Sequence, residues 1–211
     1  MKLRIIQTFN FNLSNKAKMK SINRTTCTYR ILHILGLHYS VEEYGNMSFV
    51  YALKKTIRKV RNNFLLKYCF NMVIFTPINS RIIRPMLLRW MGCKVGKNVF
   101  IGDNVYVDKN YPELIEIGDN TYITGGTTLL CHKRDISDYH IGDNLFDKPY
   151  KIGRIVIGKG CSMGTNSLIL PGVTIGDGVV IGAGSLVTKD IPAWTLAVGR
   201  PAVVVKKFAK R

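Results

Sequence analysis

Four histidines occur in the 211 residues, at 33, 38, 132 and 140. Neutral imidazole takes up a proton near pH 7, so a well-placed histidine suits general-base chemistry. His132 ends the run TTLLCH and opens a charged, turn-rich stretch, KRDISDYHIGDNLFDKPYKIGR. A lone histidine at such an edge equally suits a surface or capping role. His140, inside that stretch, reads as loop surface, with contact to a bound molecule as its rival role. His33 and His38 carry no pattern. A zinc-hydrating site needs three histidines, and this half of the chain offers two. The five cysteines (27, 69, 93, 131, 161) show no metal-ligand spacing. They read as reduced, buried or incidental thiols of a reducing compartment, and no metal is expected. Gly182-Ala183-Gly184 lacks the third glycine and the helix of a dinucleotide-binding turn.

What positions these residues is a period of six. From Ile157 to Pro192 the chain reads IGKGCS, MGTNSL, ILPGVT, IGDGVV, IGAGSL, VTKDIP. An aliphatic residue or methionine opens each phrase. Helices repeat at 3.6 and strands at 2, whereas a period of six marks a parallel β-helix of short strands and tight corners. The frame begins at Val95 with VGKNVF and IGDNVY. It slips between 107 and 117, resumes with IGDNTY and ITGGTT, and breaks again between 129 and 157. First-position aliphatics are expected to face inward. So are the small fifth-position residues Val99, Val105, Thr121, Thr127, Cys161, Ser167, Val173, Val179 and Ser185. Second-position glycines are expected to permit the turns. Three phrases make one triangular coil, giving roughly four or five coils that bury their apolar sides only against one another. The excursion at 133–154 departs from a regular scaffold, as functional loops do. After 192 the chain is expected to leave through a short closing strand with a basic tail.

The formal charge of +18 is unevenly spread. Residues 1–94 hold 17 Lys/Arg against Glu42 and Glu43, a net +15; residues 95–211 hold 14 against 11 acids, a net +3. Residues 1–45 have no clear period, lack the apolar run of a signal peptide, and contain one of two alternative start residues, Met19 and Met47. Phe49, Leu53, Ile57, Val60, Phe64 and Tyr68 then fall at helical spacing, with Lys54, Lys55, Arg58, Lys59 and Arg61 between them. The apolar run 64–75 is too short to span a bilayer, and Pro77 should end it. A second short basic helix is expected over 81–91, stopped by Gly92. An amphipathic basic helix suits an anionic membrane surface, or packing on its own domain or a partner chain. Aromatic interleaving on the basic face is sparse, so nucleic acid is not expected as a partner.

The run ILPGVTIGDGVVIGAGSLVTKDIP, with IGDNVYVD and PELIEIGDNTYITGGTTLLCH upstream, resembles the hexapeptide-repeat acyltransferases. It looks closest to the galactoside and maltose acetyltransferase branch and its relatives that O-acetylate capsule, lipopolysaccharide or exopolysaccharide sugars. The resemblance covers 95–205. It implies a mainly β chain whose coils wind left-handed, a homotrimer with each active site between two β-helices, and acetyl-CoA as donor to a sugar or glycan acceptor. It implies that His132 is the catalytic base for direct transfer. Asp108 falls where relatives place an acceptor-contacting Asn or Asp; its carboxylate would bind sugar hydroxyls or orient the base, or simply serve as a polar corner. Thr165, Ala183, Thr188 and Lys189 fall at coenzyme-binding positions. Val203 stands where the family often has arginine, and Lys206 would take over part of that task. Ser162 replaces a common tryptophan.

The expected organisation is a weakly patterned segment 1–45, a basic helical region 46–92, a β-helix acyltransferase domain 93–205 with excursion 133–154, and a basic tail 206–211. The expected location is cytoplasmic, with peripheral attachment to the inner membrane face through 47–91. A non-catalytic hexapeptide scaffold, a nucleotide-sugar N-acyltransferase and a serine acetyltransferase remain alternatives at this point.

Overall fold

The computed structural model describes residues 25–36, 44–71 and 78–210. The segment 1–24 with Met19, His38, residues 72–75 of the apolar run, and Pro77 lie outside them. Two compact units divide the chain between Arg58 and Lys59, inside the segment 46–92.

In the first unit Thr26 starts helix α1 (Cys27–Ile34). Its hydroxyl accepts from the N–H of Tyr29 and donates to the carbonyl of Met47 at 2.9 Å, so the N-cap also ties down a distant turn. Ser48 plays the same capping part for α2 (Phe49–Phe64), accepting from the N–H of Tyr51. The apolar residues Phe49, Leu53, Ile57, Val60 and Phe64 are all 48–68% exposed. Among the described residues no helix is long and apolar enough to cross a membrane.

The second unit takes in α2 from Lys59 onward and continues through a π-helical turn at Leu65–Cys69. A second such turn, Asn79–Ile83, leads into α3 (Arg84–Met91). Gly92 ends α3 at φ 118°, a left-handed cap that glycine adopts without Cβ strain. The expected second helix is thus present.

From Lys94 the chain winds as a parallel β-helix. The first coil carries β1 (Lys94–Val95), β2 (Phe100–Ile101) and β3 (Tyr106–Val107); the second carries β4 (Ile115–Ile117), β5 (Tyr122–Ile123) and β6 (Thr128–Leu129). A hairpin of β7 (His132–Arg134) and β8 (Tyr150–Ile152) follows. The third coil holds β9 (Ile155–Ile157), β10 (Ser162–Met163) and β11 (Leu168–Ile169); the fourth holds β12 (Thr174–Ile175), β13 (Val180–Ile181) and β14 (Leu186–Val187). A closing hairpin joins β15 (Thr195–Gly199) to β16 (Ala202–Lys207). The expected single closing strand is therefore two.

Strands stack on three faces: β1-β4-β9-β12, then β2-β5-β10-β13-β15 edged by β16, then β3-β6-β11-β14. Register aligns one inward column per face: Val95, Ile117, Ile157, Ile175; Ile101, Ile123, Met163, Ile181, Ala197; Val107, Leu129, Ile169, Val187. Apart from Val95 these are at most 2% exposed, and each large one contributes about 1.5–3 kcal/mol by burial. The fifth-position residues are buried as well.

One sequence expectation needs correction. The second-position glycines do not make the corners. A Cβ on Gly118 would lie 2.6 Å from the carbonyl of Gly158 in the next coil, and one on Gly164 would lie 2.4 Å from the nitrogen of Ala183. At these glycines the backbone of the next coil lies where a Cβ would go. The left-handed turn falls on the fourth position, taken by Asn98, Asn104, Asn120 and Asn166 at φ 51–57° and by glycine in other phrases. Trp194, three residues beyond Ile191, holds that conformation too.

The open end of the first coil is covered. Leu87, Leu88 and Met91 of α3 join the core cluster with Val99 and Ile101. Arg84, 4% exposed, donates to the carbonyls of Phe70 and Ile101 at 2.9 Å each and pairs with Asp103. This satisfies an edge that would otherwise invite pairing with another chain.

Candidate active site

The corner between the third face and the first is where the period misbehaves. Along the first-to-second and second-to-third corners the inward residues are always six apart. Across the third-to-first corner the steps are ten (107 to 117), twenty-eight (129 to 157), six (169 to 175) and four (187 to 191). His132, Asp108, Thr188 and Lys189 all stand on this edge.

Asp108 directly follows β3 and is fully buried. Its Oδ2 lies 2.5 Å from Nδ1 of His132 and accepts from the N–H of Cys131 at 3.0 Å. Its Oδ1 accepts from the N–H of Asn110 at 3.1 Å. A carboxylate accepts only, so His132 carries its proton on Nδ1, leaving the Nε2 lone pair bare. Asp108 has no exposed surface to offer an acceptor; what it meets is the imidazole.

Two rings flank that imidazole. The centroid of Tyr111, from the ten-residue step, is 5.5 Å away, and that of Tyr150, on β8, is 5.3 Å away at 70°. The guanidinium of Arg134 sits 4.1 Å over Tyr150 and donates to the carbonyl of Lys148 at 2.5 Å, which holds the ring in place. The excursion 133–154 is thus a β-ribbon whose His132, Arg134 and Tyr150 share one side. Neither Tyr111 nor Tyr150 was singled out from sequence; an aromatic inside an irregular step is a faint signal. His140 is exposed on the hairpin, its N–H donating to Asp143.

Next to the imidazole, Cys131 is fully buried. Burial, and then the nearby Asp108 charge, push its thiol up to about 12. Cys93 is likewise raised to about 12 by burial first and then by Cys131. Such thiols stay protonated and are poor nucleophiles near neutrality. Among the described residues no three His, Cys, Asp or Glu groups converge as metal ligands.

The positions expected to hold a coenzyme are not together in one chain. Thr188 and Lys189 are exposed on the His132 edge, two coils further along, about 10 Å at strand spacing. Thr165 and Ala183 are exposed on the second-to-third corner, across the third face; the N–H of Gly184 donates to the carbonyl of Thr165 at 2.8 Å, stacking the two positions. Lys206 lies on β16 opposite Leu196, over the second face. Both corners offer open backbone: a Cβ at Gly172 or Gly184 would meet nothing within 4 Å. A shallow concavity lined by Arg89, Lys94, Glu116, Asp119 and Lys159 lies on the first face and includes none of these residues.

Known proteins share this architecture. A bacterial transferase hexapeptide model of six repeats matches residues 154–189, and a model for the hexapeptide repeat of succinyl-transferase matches residues 92–131. The chain is 35% identical over 147 residues to YvoF of Bacillus subtilis (strain 168), named as an acetyltransferase, across 70% of this chain and 77% of that protein. It is 36% identical over 137 residues to WcaF of Escherichia coli (strain K12), named as a colanic acid biosynthesis acetyltransferase, across 59% of this chain and 74% of that one. A galactoside acetyltransferase solved in complex with coenzyme A superposes with a TM-score of 0.56 at 28% identity, covering 77% of this chain and 84% of that chain. The coils are those of the left-handed parallel β-helix.

Proposed function

The chain belongs to the hexapeptide-repeat acetyltransferases, and on that premise we propose that it moves an acetyl group from acetyl-CoA to a sugar hydroxyl, with His132 as general base. The buried Asp108 bound to Nδ1 of His132 carries this reading. Nε2 removes the proton of the attacking hydroxyl as its oxygen bonds to the thioester carbonyl carbon. The carboxylate of Asp108 stabilises the imidazolium that forms, and the tetrahedral oxyanion is held by hydrogen-bond donors. The C–S bond then breaks, the imidazolium returns its proton to the departing thiolate, and the acetyl ester leaves with the sugar. The raised thiol of Cys131 favours this direct route over an acetyl-cysteine intermediate.

The coenzyme would lie along the third face, its pantetheine arm passing open backbone at Gly172 and Gly184, with Lys189 and Lys206 meeting phosphates as point charges. Thr165 and Ala183 stand on the corner opposite His132. A homotrimer reunites the set, because a neighbour's second-to-third corner can face this chain's His132 edge across a subunit cleft. The role in capsule, lipopolysaccharide or exopolysaccharide synthesis is supported by the likeness to WcaF. The working domain is 93–205, with the ribbon at 133–154 selecting the acceptor.

The exposed apolar stripe of α2 supports a second element, attachment to an anionic membrane face from the cytoplasmic side. Five Lys/Arg on one helix, each worth about 1 kcal/mol near such a surface, suffice for reversible binding.

Thiol release from acetyl-CoA, measured across a panel of free and nucleotide-linked sugars, tests the activity with His132→Ala beside the wild type. The variant is expected to keep less than about a tenth of the turnover, since a general base contributes about 10²–10⁴-fold. Turnover above that level would remove His132 from the role.

A further inference from the structure

Asn62 is fully buried on a helix whose neighbouring positions 61, 63 and 64 are exposed. Asparagine is a poor helix former, and burying its amide is costly without partners. Its partners are specific. Nδ2 donates to the carbonyl of Lys109 at 3.2 Å. Oδ1 accepts from Nη2 and Nε of Arg61 at 2.9 and 3.2 Å, and Nη2 of Arg61 also reaches the carbonyl of Met91 at 3.4 Å.

The carbonyl of Lys109 and the N–H of Asn110 belong to one peptide group. That group is planar and turns as a unit. Its oxygen is held by Asn62, and its N–H donates to Oδ1 of Asp108. The other oxygen of Asp108 meets Nδ1 of His132. An unbroken line of hydrogen bonds therefore runs from the Asn62 amide, through one rigid peptide and one carboxylate, to the imidazole. The step that carries Asp108 and Lys109 has Asp108 where most phrases have glycine, and its fourth-position Asn110 does not take the left-handed conformation held by Asn98, Asn104, Asn120 and Asn166, so its orientation draws on an anchor outside the step.

We propose that Asn62 is a positioning residue for His132, acting through the 109–110 peptide and Asp108. The proposal rests on the reading of His132 and Asp108 as base and orienting carboxylate. Each bond in the line polarises the next, and a misplacement of about 1 Å at a reacting group costs up to about 10²-fold.

The probe variant is Asn62→Asp. It keeps an acceptor for Arg61 but sets oxygen against the Lys109 carbonyl. Proton NMR of the whole protein is expected to show a far-downfield Nδ1–H resonance for His132 that His132→Ala and Asp108→Asn both abolish. In Asn62→Asp that resonance is expected to move or vanish while calorimetric affinity for coenzyme A stays within about twofold. With methyl β-galactoside as probe acceptor, kcat is expected to fall about tenfold to hundredfold with KM for acetyl-CoA unchanged. In the Asp108→Asn background the Asn62 change is expected to add nothing, which a merely structural role would not produce. Asn62→Ser reads the same quantities if the buried carboxylate prevents folding. An unmoved resonance in the Asn62 variants, or losses that add to those of Asp108→Asn, overturns the proposal and leaves the base assignment standing. A resonance absent from the wild type, or surviving in Asp108→Asn, removes the His132–Asp108 pairing and the Asn62 proposal with it.

Discussion

Asp108 and His132 are 24 residues apart, yet Oδ2 of one lies 2.5 Å from Nδ1 of the other because β3 and β6 stack in register on the third face. Three N–H groups converge on the carboxylate, from Asn110, Cys131 and the imidazole. Asp108→Asn cannot reproduce this. Turned one way, its amide nitrogen faces the N–H of Asn110. Turned the other way, it faces the N–H of Cys131 and drives the imidazole to the tautomer with Nε2 protonated, which is useless as a base. Steady-state kinetics are expected to show kcat lower by at least about 10², with coenzyme A affinity unchanged. A variant within threefold of wild type would contradict the orienting role.

The split of the proposed coenzyme positions between two corners yields a complementation experiment. His132→Ala and Ala183→Trp are each expected to disable a site. If one site draws on two subunits, co-expressing them regenerates some intact sites, about a quarter by random mixing in a closed trimer. A site contained within one chain would recover nothing.

Stability separates the two glycine roles. Gly118→Ala forces a methyl against the Gly158 backbone, and its cost is expected to reach about 3 kcal/mol or more in chemical denaturation. Gly160→Asn is expected to stay within about 1 kcal/mol: asparagine holds the equivalent conformation at Asn98 and Asn120, and nothing lies within 4 Å of a Cβ there. Equal losses would show that turn geometry, not coil spacing, dominates.

The buried thiols predict an alkaline limit. Cys93 and Cys131 are raised from an ordinary 9.0 to about 12 in the folded chain. Between those values the unfolded chain has lost protons that the folded chain retains. Stability is therefore complete below pH 9 and declines as pH rises toward 12. Denaturant midpoints measured across that window are expected to fall less steeply in Cys131→Ala than in wild type. Alkylation of native Cys131 at neutral pH is expected to be far slower than that of exposed Cys27.

Membrane attachment is read through α2. Phe49→Ser, Leu53→Ser and Ile57→Ser together leave every basic residue in place. The triple variant is expected to lose most of its partition onto vesicles of phosphatidylserine and phosphatidylcholine at low salt. Undiminished sedimentation with the vesicles would assign the stripe another partner.

The β-helix was legible because its order is local: six residues decide one strand and one corner, and the first- and fifth-position inward residues of the regular phrases could be named from the period, whereas the buried Ile115, Ile155 and Ala197 fall outside it. What escaped were relations across stacked coils. The Asp108–His132 bond hides behind the ten-residue step at 107–117. The ribbon pairs His132 with Ile152 across a stretch without repeat. The four-residue step to Ile191 disguised Trp194 as part of an exit strand, although it sits in a corner conformation. Asn62 reaches Lys109 across 47 residues, a link no period encodes. The second-position glycines were seen but misassigned, since a sequence shows which residue is small and not which neighbour demands it.

Every irregular step in the coil falls on a single corner, the one that bears His132. The wall and the chemistry can therefore vary on separate schedules. Residues added or removed at that corner leave the stacking of Val107, Leu129, Ile169 and Val187 untouched, while two residues lost at either other corner would throw every later coil out of phase. The fold confines its tolerance for insertion to one seam, the seam on which His132 stands, so a change of length there need not be negotiated with the core.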